Sequence, residues 1–289
     1  MSSENFVIPT GVEESLAVSV LPTCLRTEIS RDVSTSLDMT KRSVGMTEGP
    51  ADVTEKLFAS LDVYRDIASR SAALNMALDE ALLEIATEPL IRFYKWDHPA
   101  LSFGYFGKFA NVANHATERD LVRRWTGGGI VFHGNDLTYS LVIPAADSAF
   151  GESSMSIYEK IHRAIRTAFA ANGKSVELAA ATPLDERWTN NATVIDGCYR
   201  REECFANPVR ADVLSNGRKI AGAAQRRTRR GLFQQGSIQD VALNEEFADQ
   251  LASELGSKRC QKMLDEHLIA RANEIAEEKY GTEMWLRKR

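Results

Sequence analysis

The sequence predicts an α+β fold, a mixed and largely antiparallel sheet flanked by helices, and three features point to it. Strand-like runs follow one another across short turns: Leu90–Trp96 runs through His98-Pro99 into Ala100–Gly104, and Ile130–Phe132 runs through Gly134-Asn135-Asp136 into Leu137–Ile143. Stretches of helical period interrupt these hairpins. Strict strand–helix–strand winding is absent, which argues against a doubly wound parallel sheet.

Ordered sequence begins near Leu57. Leu61–Arg65 alternates like a strand. Leu74, Leu78, Ala81, Leu82 and Ile85 then share one face of a 3.6-residue period, which predicts a helix over 71–86. Leu121–Arg124 reads as a short strand entering a glycine run. In Leu137–Ile143 the residues Leu137, Tyr139, Leu141 and Ile143 fall on one face, and Pro144 ends the strand. Ile157, Ile161, Ala164, Ile165 and Ala168 mark a second helix that stops near Asn172-Gly173. Strands are predicted at Ser175–Leu178, Ala211–Leu214, Arg218–Ala224 and Gly231–Ile238. Two helices, Asn244–Leu255 and Ser257–Tyr280, close the chain.

Residues 1–54 are rich in Ser, Thr, Val and Glu, with no aromatic after Phe6. They read as a disordered or weakly structured extension, with a regulatory or docking segment as the rival reading. Residues 56–289 read as one domain. Of the 289 residues, 44% are hydrophobic and 26% charged, the balance of a soluble globular protein. The formal net charge of -5 argues against general nucleic-acid affinity. No apolar run is long enough to cross a bilayer, and Met1–Thr10 lacks the pattern of a signal peptide. Cys24, Cys198, Cys204 and Cys260 show no metal-type spacing, so reduced thiols, a cytoplasmic location and no bound metal are expected.

Two stretches carry the chemistry. In Arg123-Arg124-Trp125-Thr126-Gly127-Gly128-Gly129-Ile130-Val131-Phe132-His133, paired guanidinium groups precede three glycines set between strands. Glycines there weaken a sheet, and their return is close backbone approach to something bound. Guanidinium groups beside such a loop suit a carboxylate, phosphate or adenylate. The loop is neither a P-loop nor a dinucleotide fingerprint, because it leads into a strand. In Gly217-Arg218-Lys219-Ile220-Ala221-Gly222-Ala223-Ala224-Gln225, one lysine stands beside small apolar residues, as a buried lysine would.

These motifs resemble the lipoate branch of the lipoate–protein ligase A, octanoyltransferase and biotin ligase superfamily. RRWTGGGIVFHGNDLTYSLVIP resembles its signature, Asn75–Ala81 its first helix, Leu101–Phe106 the strand that follows, and Gly217–Gln225 its lysine motif. Ala276–Trp285 is similar to the branch's carboxyl end. The resemblance spans about residues 57–289. It implies a fold of the class II aminoacyl-tRNA synthetase and biotin synthetase type, with a tunnel for a medium-length acyl chain. It places Gly127, Gly128 and Gly129 against the acyl group, Arg124 and His133 at the loop's edges, and Gly222 in the wall. Lys219 matches the lysine that meets the acyl carbonyl or adenylate phosphate. Read on its own, His133 fits a core histidine held by hydrogen bonds better than a catalytic group.

The implied reaction places an octanoyl or lipoyl group on a lysine of a lipoyl-domain protein. Cys204–Val213 resembles the cysteine segment of the LipM-type octanoyltransferases, in which the cysteine carries the acyl group as a thioester. That route needs no cofactor, and its partners are an acyl-carrier protein and a lipoyl domain (glycine cleavage H protein or 2-oxoacid dehydrogenase E2). The alternative is an ATP- and Mg2+-dependent lipoate ligase: Gly129 keeps the ligase-type third glycine, and Asp212 matches a position used near adenylate and magnesium. A catalytically silent relative that binds a carrier protein is a third reading. The basic run Arg226–Arg230 is expected at a hairpin tip, as a solvated turn or a dock for an acidic carrier.

Overall fold

The computed structural model describes residues 56–180 and 208–288. The extension 1–54, and Cys198 and Cys204, lie outside the described residues. In chain order the elements are β1 (Phe58–Arg65), α1 (Ala72–Ile85), β2 (Leu90–Tyr94), β3 (Ala100–Phe103), β4 (Asp120–Arg123), β5 (Val131–His133), β6 (Leu137–Pro144) and α2 (Ser154–Ala171). There follow β7 (Glu177–Leu178), β8 (Val213–Ser215), β9 (Arg218–Arg227), β10 (Gly231–Ile238), α3 (Phe247–Leu255), β11 (Gly256–Lys262), α4 (Glu266–Ile275) and α5 (Glu283–Leu286). Eight strands form one sheet in the order β11-β1-β2-β6-β10-β9-β8-β7, and β4-β3-β5 form a small second sheet. The β11-β1-β2 end is parallel and the rest of the large sheet antiparallel, the mixed α+β architecture the sequence predicts.

Strand alternation divides the large sheet into two unlike faces. One face is apolar: Ile91 and Phe93 of β2, Tyr139, Leu141 and Ile143 of β6, and Leu232 of β10 pack with Ile157, Ile161 and Phe169 of α2 and Phe247 and Leu251 of α3. The other face changes character along the strands. Its first row is Leu90, Val142 and Phe233, which meet Leu78 and Leu82 of α1 and Leu268 and Ile275 of α4. The next row is Arg92, Ser140, Gln235 and Ala224, and the next is Tyr94, Thr138, Ser237 and Gly222. An apolar layer thus gives way to a polar one two residues further on. The site grows from that transition.

Local signals explain the helix starts. Ser71 caps α1, its hydroxyl accepting from the Leu74 amide, and Ser153 and Asp265 cap α2 and α4 in the same way. Asn216 and Gly217, at φ 51° and 74°, make the two-residue turn that favours β-hairpins, and so set the register of β8 on β9.

Two expectations need correction. The predicted helix Ser257–Tyr280 is three things: Gly256–Lys262 is the edge strand β11, Glu266–Ile275 is α4, and a wider π-type turn follows at Ala276–Tyr280. Ser-Lys-Arg-Cys-Gln-Lys has no apolar period, and the open edge of β1 captures it as a parallel strand. Ile85, expected on the buried face of α1, is 54% exposed because it stands at the last turn, past the end of the packing. Among the described residues no helix is long and apolar enough to cross a membrane.

Candidate active site

The polar row of the large sheet forms one wall of a small cavity with an open mouth. Tyr94, Thr138, Ser237, Gln235, Gly222 and Ala224 come from the large sheet, and Lys219 from the same strand β9. Met76 of α1, Trp96, and Ser102, Arg124, Val131 and His133 of the small-sheet region also line it. Four residues singled out in the sequence (Arg124, His133, Lys219 and Gly222) therefore meet in one space.

Lys219 is 5% exposed and its ammonium lies 2.8 Å from a carboxylate oxygen of Asp212, itself fully buried. Tyr158 of α2 donates its hydroxyl to the other Asp212 oxygen at 2.5 Å and accepts from the Ala223 amide, while the Val209 amide donates to Asp212 at 2.7 Å. Burial pushes the Asp212 carboxyl above its usual range, against the pull of Lys219, Tyr158 and the Val209 amide. Ala211, just before it, adopts φ 68°, a left-handed conformation disfavoured for alanine. Gly222 lies under the lysine: a Cβ there would stand 2.3 Å from Lys219 Cε and 2.6 Å from Nζ. Glycine at 222 is what lets the amine cross the strand.

Opposite stands a hydrogen-bonded chain. Arg124 donates to Ser102 Oγ at 2.6 Å, so the serine's own hydrogen goes to His133 Nε2 at 2.7 Å. His133 Nδ1 then carries the proton and donates to Asp136 at 2.7 Å. Asp136 also accepts from Thr138, Ser237 and the Gly134 amide. Burial lowers the His133 pKa further than Asp136 raises it, which keeps the ring neutral at pH 7. Burial opposes charge on Asp136 too, but His133, Ser237 and the Gly134 amide outweigh it and hold that carboxyl at about 2. Trp96 stacks on the imidazole at 4.1 Å and donates to Thr138. His133 is a buried, fully hydrogen-bonded histidine that orients Arg124 through Ser102.

The three glycines form a turn gathered around the Arg124 guanidinium. Gly127, Gly128 and Gly129 do not belong to the cavity lining. Arg124 donates to the carbonyls of Gly127 and Gly129, and Gly104 backs onto the loop so closely that a Cβ there would lie 2.0 Å from the Gly128 carbonyl oxygen. The loop packs backbone against backbone, and Arg124 projects from it into the cavity. Arg123 points away and donates to the carbonyls of Tyr105, Gly107, Trp285, Leu286 and Lys288.

Several lining residues carried no signal in the sequence. A buried network centres on Asp79 of α1, which accepts from Arg92, Tyr94, Ser140 and Gln235; Gln235 in turn accepts from Thr126. Arg92 is fully buried and also bonds Asp66 and Asn75. These are ordinary polar residues of helix and strand, made neighbours by sheet register and by the packing of α1 on the sheet. An exposed trio, Asp97, His98 and Asp120, has metal-compatible spacing but lies outside the cavity.

Residues 71–275 match the family of the lipoyl protein ligase A/B catalytic domain. The chain belongs to that family. Octanoyltransferase LipM of Brevibacillus brevis is 34% identical over 176 residues, covering 58% of this chain and 62% of the relative, so the chain spans less than two thirds of that protein. LipM of Staphylococcus aureus is 32% identical over 193 residues, 64% of this chain and 68% of the relative. Among solved structures, a lipoate-protein ligase A bound with ATP aligns at a TM-score of 0.57 and 18% identity, over 80% of this chain and 98% of that one. A bi-partite lipoate protein ligase of Thermoplasma acidophilum aligns at 0.54 and 18%, over 80% and 96%. At those identities the structural matches speak for the fold, which is the family's.

Proposed function

We propose that the protein is an acyltransferase that places an octanoyl or lipoyl group on a lysine of a lipoyl-domain protein, with Cys204 carrying the acyl group as a thioester. The observation behind this reading is the buried Lys219 amine, paired with Asp212 and facing Arg124 across one small cavity. Lys219 and Arg124 lining one pocket suit an acyl carbonyl whose oxygen gains charge during transfer.

Cys204 enters from the sequence. It stands four positions before Pro208 in the sequence, shortly ahead of the Val209–Asp212 turn. In the first step the Cys204 thiolate attacks the thioester carbonyl of the acyl donor, and the donor's thiol leaves with a proton. In the second, the neutral amine of the acceptor lysine attacks the new thioester; an amide forms and the Cys204 thiol is restored. A thiol suits this exchange because a thioester conserves acyl reactivity between the steps. Lys219, and Arg124 held by Ser102, are the groups placed to steady the carbonyl oxygen.

The ATP-dependent ligase reading rests on Gly129, the third glycine of its type. For phosphate, Lys219 and Arg124 fit. For magnesium the fit fails on the described residues: no carboxylate lines the cavity, and both oxygens of Asp212 are engaged by Lys219, Tyr158 and Val209.

The deciding experiment offers the purified chain octanoyl-acyl-carrier protein without ATP, or free lipoate with ATP and Mg2+, each with an unmodified lipoyl domain followed by mass. Modification in the first mixture is expected. Modification only in the second overturns the thioester route, and binding without modification in either favours a silent relative.

A further inference from the structure

Beside the cavity lies a surface that the chemistry above does not use. Along β9, Gly222 and Ala224 line the cavity, and Arg226, the next residue on that sheet face, lies outside it. Its guanidinium stacks over Trp125 at 4.6 Å and Tyr105 at 5.1 Å and bonds the Trp125 carbonyl. Trp125 directly follows the cavity-lining Arg124. Lys279 stands over Trp125, Tyr280 and Trp285, and Lys288 over Tyr105 and Trp285, all within 5.0 Å. Phe106, 52% exposed, meets Tyr105 edge-on at 4.9 Å, and Met284 on α5 is 80% exposed. Arg287 lies over Phe109. The six bonds from buried Arg123 fasten the Tyr105–Gly107 turn to the Trp285–Lys288 segment, so the two halves of this surface form one unit.

In charge the surface runs against the rest of the molecule. Arg226, Lys279, Arg287 and Lys288 gather here in a chain of net charge -5, with Glu80 paired to Lys279 and Glu283 to Arg287. Half-buried aromatic rings among cations, with Phe106 and Met284 exposed beside them, are the composition of a protein-binding patch rather than of ordinary surface.

We propose that this aromatic and basic face is the docking surface for an acidic protein domain, which presents the lysine to be acylated to the adjoining cavity. The inference rests on the acyl-transfer reading for the identity of its partner, and on geometry and charge for its place. Cations steer and orient an anionic partner, and the rigid aromatic rings give it a contact area that loses little freedom on binding.

The test is direct binding of the full chain to a purified, unmodified, acidic E2 lipoyl domain, by calorimetry, together with octanoyl-pantetheine turnover as a partner-free readout. Phe106→Ser with Lys288→Glu is expected to weaken binding at least tenfold and leave pantetheine turnover intact. Lys258→Glu on β11, at the far edge of the sheet, is expected to change neither. Raising ionic strength from about 0.05 to 0.3 M should weaken wild-type binding, because salt shortens the reach of these charges. An unchanged Kd in the double variant, salt-independent binding, or tighter binding of single-stranded RNA or anionic vesicles than of the domain overturns the proposal. A domain that binds here with the expected salt dependence yet is never acylated upholds the surface while the acyl-transfer reading fails.

Discussion

Lys219 and Asp212 form an ion pair buried inside the protein. Removing one member of such a pair leaves the other uncompensated, at about 3–5 kcal/mol. Lys219→Met should therefore lower the urea midpoint and abolish transfer, and Lys219→Met with Asp212→Asn should regain most of the stability but none of the activity. A double variant no more stable than the single one would mean that the pair is not the structural unit described. Gly222→Ala tests placement: its Cβ can be accommodated only if the lysine tip moves away from Asp212, so transfer should fall at least tenfold and the unfolding midpoint should fall with it. Unchanged transfer rates would show that the position of the amine is unimportant. Lys219, Arg124, His133 and Gly222 were legible because each sits in a motif with unusual neighbours. Asp79, Ser102, Gln235 and Tyr158 were not, since a serine in a strand or an aspartate in a helix has no local mark of the partner that sheet register will bring.

The hairpins and capped helices show why most elements could be read. The alternation Leu137, Tyr139, Leu141, Ile143 and the helical period of α2 are each set by one buried face, and the structure buries those faces. The edge strand β11 escaped because its pairing with β1 is a tertiary event that its polar sequence does not announce. The glycine loop was found in the sequence; its tight backbone packing against Gly104 of the neighbouring turn was not. Gly104→Ala would force a Cβ into the Gly128 carbonyl, and overpacking of this kind costs about 1–3 kcal/mol. Because the loop's carbonyls anchor Arg124, activity should fall with stability. A Gly104→Ala protein with wild-type melting and turnover would contradict this packing.

At the scale of the molecule, one sheet separates a dry core from a polar layer that ends in a cavity, and both layers hold histidines neutral. His162, on α2 beside the Asp212 segment, is fully buried, packs edge-on against Tyr158, and is lowered to about 3 by burial and then by the nearby Lys219 charge. Its folded pKa lies below the unfolded value near 6.5, so its share of stability is present above that value and is lost as pH falls toward 3. Asp136, ordinarily near 3.8 and held at about 2, adds a loss confined to that lower window. Thermal unfolding followed from pH 7 to 3 should thus fall steadily, and His162→Phe should flatten the part above pH 4 while keeping the acid drop. A variant that loses stability in parallel with the wild type would assign the pH dependence elsewhere.

Acyl transfer through this cavity is tested most directly by intact mass of the protein after incubation with octanoyl-acyl-carrier protein in the absence of ATP. One octanoyl group should appear, should be missing in Cys204→Ala, should form far more slowly in Lys219→Met, and should pass to a lipoyl domain added afterwards. No adduct on the wild-type chain, or the same adduct on Cys204→Ala, would contradict it.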